Sequence, residues 1–103
     1  MKTNKEIKKL FEESHKGYVQ MFEINIKDYI ESIDEDIYTY TYYNYNQETN
    51  MLELGSVANI GFLRSNDGIE YSKDESFDEN INSLLEYYIE LTIEEYKNNP
   101  ENF

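Results

Sequence analysis

The run Ile37–Asn46 reads IYTYTYYNYN, with five tyrosines and two threonines in ten residues. Its side chains separate by parity. Tyr38, Tyr40 and Tyr42 share one side of an extended chain; Ile37, Thr39, Thr41, Tyr43 and Tyr45 share the other. β-branched and aromatic residues in this alternation predict a strand with rings on both faces. So many phenols have three uses: a strand's packing face, a platform on which bases stack, or a contact patch for another protein.

The residues after this run continue the sheet. Asn44 to Asn50 is an asparagine-rich turn, and Met51, Leu52 and Leu54 begin a second strand that ends or bulges near Gly55. Ile60, Phe62 and Leu63 predict a third strand. Asn66-Asp67-Gly68 is a hairpin turn that leads to Ile69 and Tyr71. Residues 36–72 therefore read as an antiparallel meander of three to four strands. Ser76-Phe77-Asp78-Glu79 then forms a capping box. The helix it opens has Phe77, Ile81, Leu84, Leu85, Tyr88, Leu91 and Thr92 on its apolar face. It stops near Lys97, because Pro100 disfavours helix in the residue before it.

Residues 18–34, YVQMFEINIKDYIESID, fit two templates. Phe22, Ile24 and Ile26 alternate with polar residues, as in a strand. Val19, Phe22, Ile26, Tyr29, Ile30 and Ile33 recur at helical spacing and account for more apolar residues, so a helix is expected over about residues 20–33. A first helix is expected over about residues 4–15. It would open on a Thr3–Glu6 capping box, bury Ile7, Leu10 and Phe11, and end at Gly17. The fold class is α+β in a single domain of residues 1–103: N-terminal helices, the meander, and a long C-terminal helix packed on the sheet.

Charge narrows the function. Nine basic and 22 acidic residues leave a net charge of −13. Residues 1–17 hold five lysines against three glutamates, whereas residues 18–103 hold four basic groups against nineteen acids. Such a field repels phosphate backbones and acidic membrane surfaces and attracts basic proteins. A base-stacking platform works beside a cationic groove. None flanks the tyrosines, so direct nucleic-acid binding is not expected, nor is membrane binding.

No cysteine is present, no apolar run of signal-peptide type opens the chain, and no window is apolar enough to span a membrane. These features suit a cytoplasmic protein. One alanine, one arginine and one proline against 12 asparagines and 11 tyrosines suggest a low-GC bacterium or one of its phages.

Parts for catalysis are few. His15, the single histidine, sits where a helix C-terminus favours a cation. Ser14 beside it is adjacency without triad logic. The four glycines make no phosphate-binding loop, and no acidic cluster has the spacing of a calcium loop. Neither an enzyme nor a bound cofactor or metal is expected.

The acids are more informative. Glu86, Glu90 and Glu94 repeat at i, i+4 on the last helix, with Glu79 seven residues before Glu86. This spacing is ~6 Å along the helix axis, close to the separation of successive phosphates on a nucleic-acid strand. Like charges at i, i+4 destabilise a helix by ~0.2–0.5 kcal/mol per pair, so the stripe has a cost. It is either an ordinary solvated face or a binding surface. Two further blocks flank the sheet: residues 28–36, with Asp34, Glu35 and Asp36, and residues 67–79, with Asp74 and Glu75. With Tyr38, Tyr40, Tyr42, Tyr43 and Tyr45, these carboxylates are the candidate partner-binding residues.

In size, charge, lack of cysteine and α+β build, the chain resembles the small acidic anti-CRISPR and anti-restriction proteins that imitate nucleic acid. The resemblance is compositional and carries no functional residue with it. It implies a non-enzymatic inhibitor that fills the basic groove of a nucleic-acid-handling protein. Two other classes remain open: an immunity protein or antitoxin that neutralises a basic toxin, and a phage structural or assembly protein. Oligomeric state is likewise open, a homodimer included. Charge alone already makes a testable statement. In a gel shift at physiological salt, bare DNA and RNA should show no sub-micromolar binding, and a clear shift would remove the charge argument.

Overall fold

The computed structural model describes residues 3, 7, 9, 13, 20–46, 48–55 and 67–103. Four antiparallel strands, β1 (Gln20–Asn25), β2 (Tyr38–Asn46), β3 (Met51–Leu54) and β4 (Gly68–Glu70), form one sheet in the order β1-β2-β3-β4. One long helix, α1 (Phe77–Asn98), follows, and a single 3-10 turn, Pro100–Asn102, ends the chain. The α+β architecture matches the sequence expectation. The helix expected over about residues 20–33 needs correction.

Residues 20–33 are not a helix. Gln20–Asn25 is an edge strand paired with β2, with Phe22 opposite Thr41 and Ile24 opposite Thr39. Phe22 and Ile24 are buried on the core side, so the period-2 pattern is the one the fold uses. Tyr29 is exposed, and Ile30 and Ile33 are half-buried; they belong to the connection to β2, not to a helical stripe. Asn25 enforces the change. Its side-chain oxygen accepts from the N–H groups of Lys27 (3.1 Å) and Ile37 (3.0 Å), and its amide donates to Asp36 at 2.9 Å. These bonds close a 3-10 turn over Ile26–Asp28 and hold the two ends of the connection together.

Ile7, Lys9 and Glu13 have helical backbone, and the Ile7 N–H donates to the Thr3 carbonyl at 3.0 Å. The rest of the helix expected over about residues 4–15, with its capping box and its stop at Gly17, lies outside the described residues. So does the strand expected at Ile60, Phe62 and Leu63.

The turn between β2 and β3 is built by asparagine. Asn46 accepts from the N–H groups of Glu48 and Thr49. Asn50 takes the left-handed conformation, φ 59°, which asparagine tolerates. Its side chain accepts from the Tyr45 phenol at 2.5 Å and donates to the Tyr71 carbonyl at 3.1 Å, joining β2 to the end of β4. Gly68 differs from expectation. It lies within β4 opposite Glu53 without a positive φ, not in a hairpin turn. A Cβ there would run into the Leu52 carbonyl oxygen, so close backbone approach is what requires glycine.

Helix α1 starts as the capping box requires. Ser76 Oγ accepts from Glu79 N–H (3.1 Å), and Glu79 Oε1 accepts from Ser76 N–H (3.2 Å). Buried Asn80 adds a lock that the hydrophobic pattern does not reveal. Its side chain bonds Ser72 N–H, Ser72 O and Ser76 O at 2.8–2.9 Å, tying the loop after β4 to the first helical turn. At the other end, Glu95 Oε1 accepts from Asn99 and Asn102, and Tyr96 packs edge-on against Phe103.

The core lies between α1 and one face of the sheet. Ile7, Phe22, Ile24, Tyr45, Leu52, Leu54, Tyr71, Leu84 and Tyr88 form a single buried cluster. Phe22 is stacked between Tyr43 (4.2 Å) and Tyr88 (6.3 Å), and Tyr45 meets Tyr71 edge-on at 5.6 Å. Buried hydroxyls at the centre of the sheet are satisfied: Thr41 donates to Gly55 O at 2.7 Å, and Thr39 pairs with the Tyr88 phenol at 2.7 Å. Thr92, one turn beyond Tyr88, is fully buried beside it. No described helix is long and apolar enough to cross a membrane.

Burial raises the phenol pKa of Tyr43, Tyr45, Tyr71, Tyr87 and Tyr88. For Tyr88 the bond with Thr39 pulls the other way. A raised folded-state pKa means the folded chain holds the proton more tightly than the unfolded chain. Stability from these phenols is thus complete below the ordinary tyrosine pKa of ~10 and is lost as pH rises through the folded values. The phenols should add no pH dependence to thermal melts between ~7 and ~9, and the melting temperature should fall steeply above ~10. Tyr88→Phe should be less stable near neutrality by ~1–3 kcal/mol, because Thr39 loses its partner. Its alkaline loss should be shallower than the parent's, and equal slopes would show that Tyr88 is not one of the groups responsible.

Candidate partner-binding surfaces

The parity of β2 divides the tyrosines as the sequence suggests. Thr39, Thr41, Tyr43 and Tyr45 face α1, with Tyr43 half-buried and Tyr45 buried in the core. Tyr38, Tyr40 and Tyr42 face away. Tyr38 is 62% exposed and Tyr42 38%, and Tyr40 stands between them with its ring edge-on to Tyr42 at 6.2 Å. Across the β1–β2 pair, Asn25 lies opposite Tyr38, Glu23 opposite Tyr40 and Met21 opposite Tyr42. Met51 and Glu53 on β3, and Gly68 and Glu70 on β4, share this outer face by register.

Met21 and Glu23 were hidden from sequence reasoning because the helical template had absorbed them. Strand parity, extended back from β2 to its partner, would have found both.

The helix carboxylates lie on the opposite side of the molecule. α1 packs on the core by Leu84, Tyr88 and Thr92. At ~100° per residue, Glu86 is roughly 160–200° around the helix from Leu84 and Tyr88. Glu86, Glu90 and Glu94 are all exposed, and none forms an ion pair with another described residue. Beside them, Ile89, Glu90, Ile93, Glu94 and Lys97 line a shallow depression of about 370 Å³. Glu79 falls near the same line but spends one oxygen on its capping bond.

The acidic blocks separate in the same way. Asp34, Glu35 and Asp36 are exposed in the β1–β2 connection. Asp36 is bound to Asn25 and lies 3.9 Å from Lys27, the one ion pair among the described residues. This block therefore sits at the Tyr38 end of the outer sheet face. Asp74 and Glu75 are exposed in the loop between β4 and α1, where Asn50, Glu70, Tyr71, Ser72, Lys73 and Asp74 line a polar hollow of about 440 Å³.

Most of the candidate residues thus form two surfaces, not one, and Asp74 and Glu75 stand in the loop between β4 and α1. The outer sheet face joins Tyr38, Tyr40 and Tyr42 to Asp34, Glu35 and Asp36. The outer helix face carries Glu86, Glu90 and Glu94. Tyr43 and Tyr45 belong to neither, since both lie on the core side. Among the described residues no group of three or more His, Asp or Glu is placed to hold a metal ion. His15 and Ser14 lie outside the described residues.

Substitution separates the two tyrosine sets. Tyr38→Ala should change unfolding free energy by less than ~0.5 kcal/mol, as surface substitutions do. Tyr45→Ala removes a core ring and the bond to Asn50 and should cost ~3 kcal/mol or more. Urea unfolding measures both, and a comparable loss for Tyr38→Ala would show its ring to be packed. Comparison with family models, curated proteins and solved structures returns no match for this chain.

Proposed function

We propose that this chain is a non-enzymatic inhibitor that binds a basic, nucleic-acid-handling protein and occupies the surface where that protein holds DNA or RNA. A CRISPR effector or restriction-type nuclease is the kind of partner meant. The observation that carries this reading is the outer face of α1: Glu86, Glu90 and Glu94 are exposed, in line, and without an ion pair among the described residues.

Carboxylates ~6 Å apart along a rigid axis offer a basic groove a charge repeat similar to that of a phosphate strand. The stripe destabilises its own helix, a cost that a partner's cations would offset. The net charge of −13 adds long-range attraction to such a groove, so association is fast and sensitive to salt. Inhibition then follows from occupancy, and no bond is made or broken.

Replacing Glu86, Glu90 and Glu94 together with glutamine keeps side-chain length and nearly the same helix propensity. The triple variant should melt at or slightly above the parent temperature, because repulsion is relieved. A partner captured from a low-GC bacterial lysate at low salt, and released at high salt, supplies the binding assay. The association rate should fall and its dependence on ionic strength should flatten. Affinity should drop by ~1 kcal/mol or more for each desolvated contact. A triple variant that binds as fast and as tightly as the parent would reduce the stripe to a solvated face.

A further inference from the structure

Among the described residues, four large apolar side chains are exposed: Met21, Tyr29, Tyr38 and Tyr42. Three of them, Met21, Tyr38 and Tyr42, stand together on the outer face of the sheet. What surrounds them is anionic apart from Lys27, which lies 3.9 Å from Asp36. Glu23 lies opposite Tyr40, and Asp36 is hydrogen-bonded to Asn25, the register partner of Tyr38. Glu53 and Glu70 share the face on β3 and β4, and no strand residue on it is a lysine or arginine.

This combination selects among occupants. A second copy carries the same −13 and the same carboxylates, so two such faces repel. A nucleic acid is repelled by the same charge. A purely aliphatic surface would leave the carboxylates unanswered. A guanidinium satisfies both components: it stacks flat on a phenol ring, and its N–H groups reach a neighbouring carboxylate. A lysine ammonium is a compact, strongly hydrated charge and gains less from the ring.

Spacing adds a second constraint. Tyr38, Tyr40 and Tyr42 alternate along one strand, so their side chains repeat every ~6.7 Å. Alternate residues of any extended segment have the same repeat.

We infer that the outer face of the sheet binds an extended, arginine-bearing protein segment, with arginines at alternate positions seated over Tyr38, Tyr40 and Tyr42 and bonded to Glu23 and Asp36. The basic character of the partner rests on the function proposed above, but the surface is the one opposite the helix stripe. Met21, beside Tyr42, covers the aliphatic stem of the arginine at that end.

The test uses the full chain and three labelled peptides of equal charge, followed by fluorescence anisotropy. One has three arginines at alternate positions, one has lysines in their place, and one has the three arginines consecutive. Each guanidinium–ring contact is expected to favour arginine by roughly two- to fivefold. The alternating arginine peptide should therefore bind at least about fivefold more tightly than the lysine peptide, and more tightly than the consecutive one. Tyr38→Leu with Tyr42→Leu should cut the arginine preference to the roughly two- to fivefold that one remaining ring supplies, while circular dichroism shows the fold intact. Glu86→Gln, Glu90→Gln and Glu94→Gln together should leave the arginine preference unchanged.

Equal binding of arginine and lysine peptides by the parent chain overturns the inference, and that comparison needs no variant. Concentration-dependent dimerisation in sedimentation, abolished by Tyr38→Leu, also overturns it by giving the face to a second copy. If the arginine preference is absent but the helix carboxylates still govern capture of a basic partner, this inference fails and the proposed function stands. If the preference holds while the helix variant captures the partner unchanged, the inference stands and the stripe is discarded.

Discussion

Inside the core, the hydroxyl of Thr39 and the phenol of Tyr88 meet at 2.7 Å. The bond joins the start of β2 to the middle of α1, the two longest described elements. Both groups are buried, so neither has water as an alternative, and losing one partner strands the other. The pair therefore fixes which face of the strand and which stripe of the helix can meet. Phe22 then stacks between Tyr43 and Tyr88, and β1 is held in the one register that puts Phe22 there. A one-residue slip of β1 would turn Phe22 and Ile24 outward and bring Met21 and Glu23 into the core.

This arrangement explains how so acidic and so aromatic a chain folds. Rings share the core with isoleucine and leucine and supply much of its buried area. The rings carry hydroxyls, and each hydroxyl needs a partner or an outlet. Threonine at positions 39 and 41 and asparagine at 50 supply polar contacts within or beside the core. The abundance of asparagine is thus partly structural: Asn25, Asn46, Asn50 and Asn80 each organise a turn or a junction through the side chain.

The elements legible in the sequence were those whose signal is local. The parity of Ile37–Asn46, the capping box at Ser76–Glu79 and the stop before Pro100 all depend on residues near one another, and all are observed. Residues 20–33 were misread because their deciding contacts are remote. Pairing with β2 is specified by Tyr38–Tyr43, and the end of the strand by Asn25 reaching Ile37 and Asp36. Gly68 was misread for the same reason, since the Leu52 carbonyl that excludes a side chain there lies on another strand. Of the candidate site, exposure on the helix was legible from the 3.6-residue period, and the division of the tyrosines from the 2-residue period. That the two sets point in opposite directions was not, because it depends on which stripe of α1 meets which face of the sheet.

That opposition of faces bears on stoichiometry. A flat partner surface lying against the sheet leaves Glu86, Glu90 and Glu94 in solvent, and one lying against the helix leaves Tyr38 and Tyr42 there. Contact with both at once requires a partner that wraps the molecule or two partner molecules, one on each side. A complex through a single face keeps the field of the other, so a partner that has been partly neutralised still presents negative charge to its surroundings. On the proposed function, such a complex would resist further association with nucleic acid or with another copy of this chain and would stay dispersed.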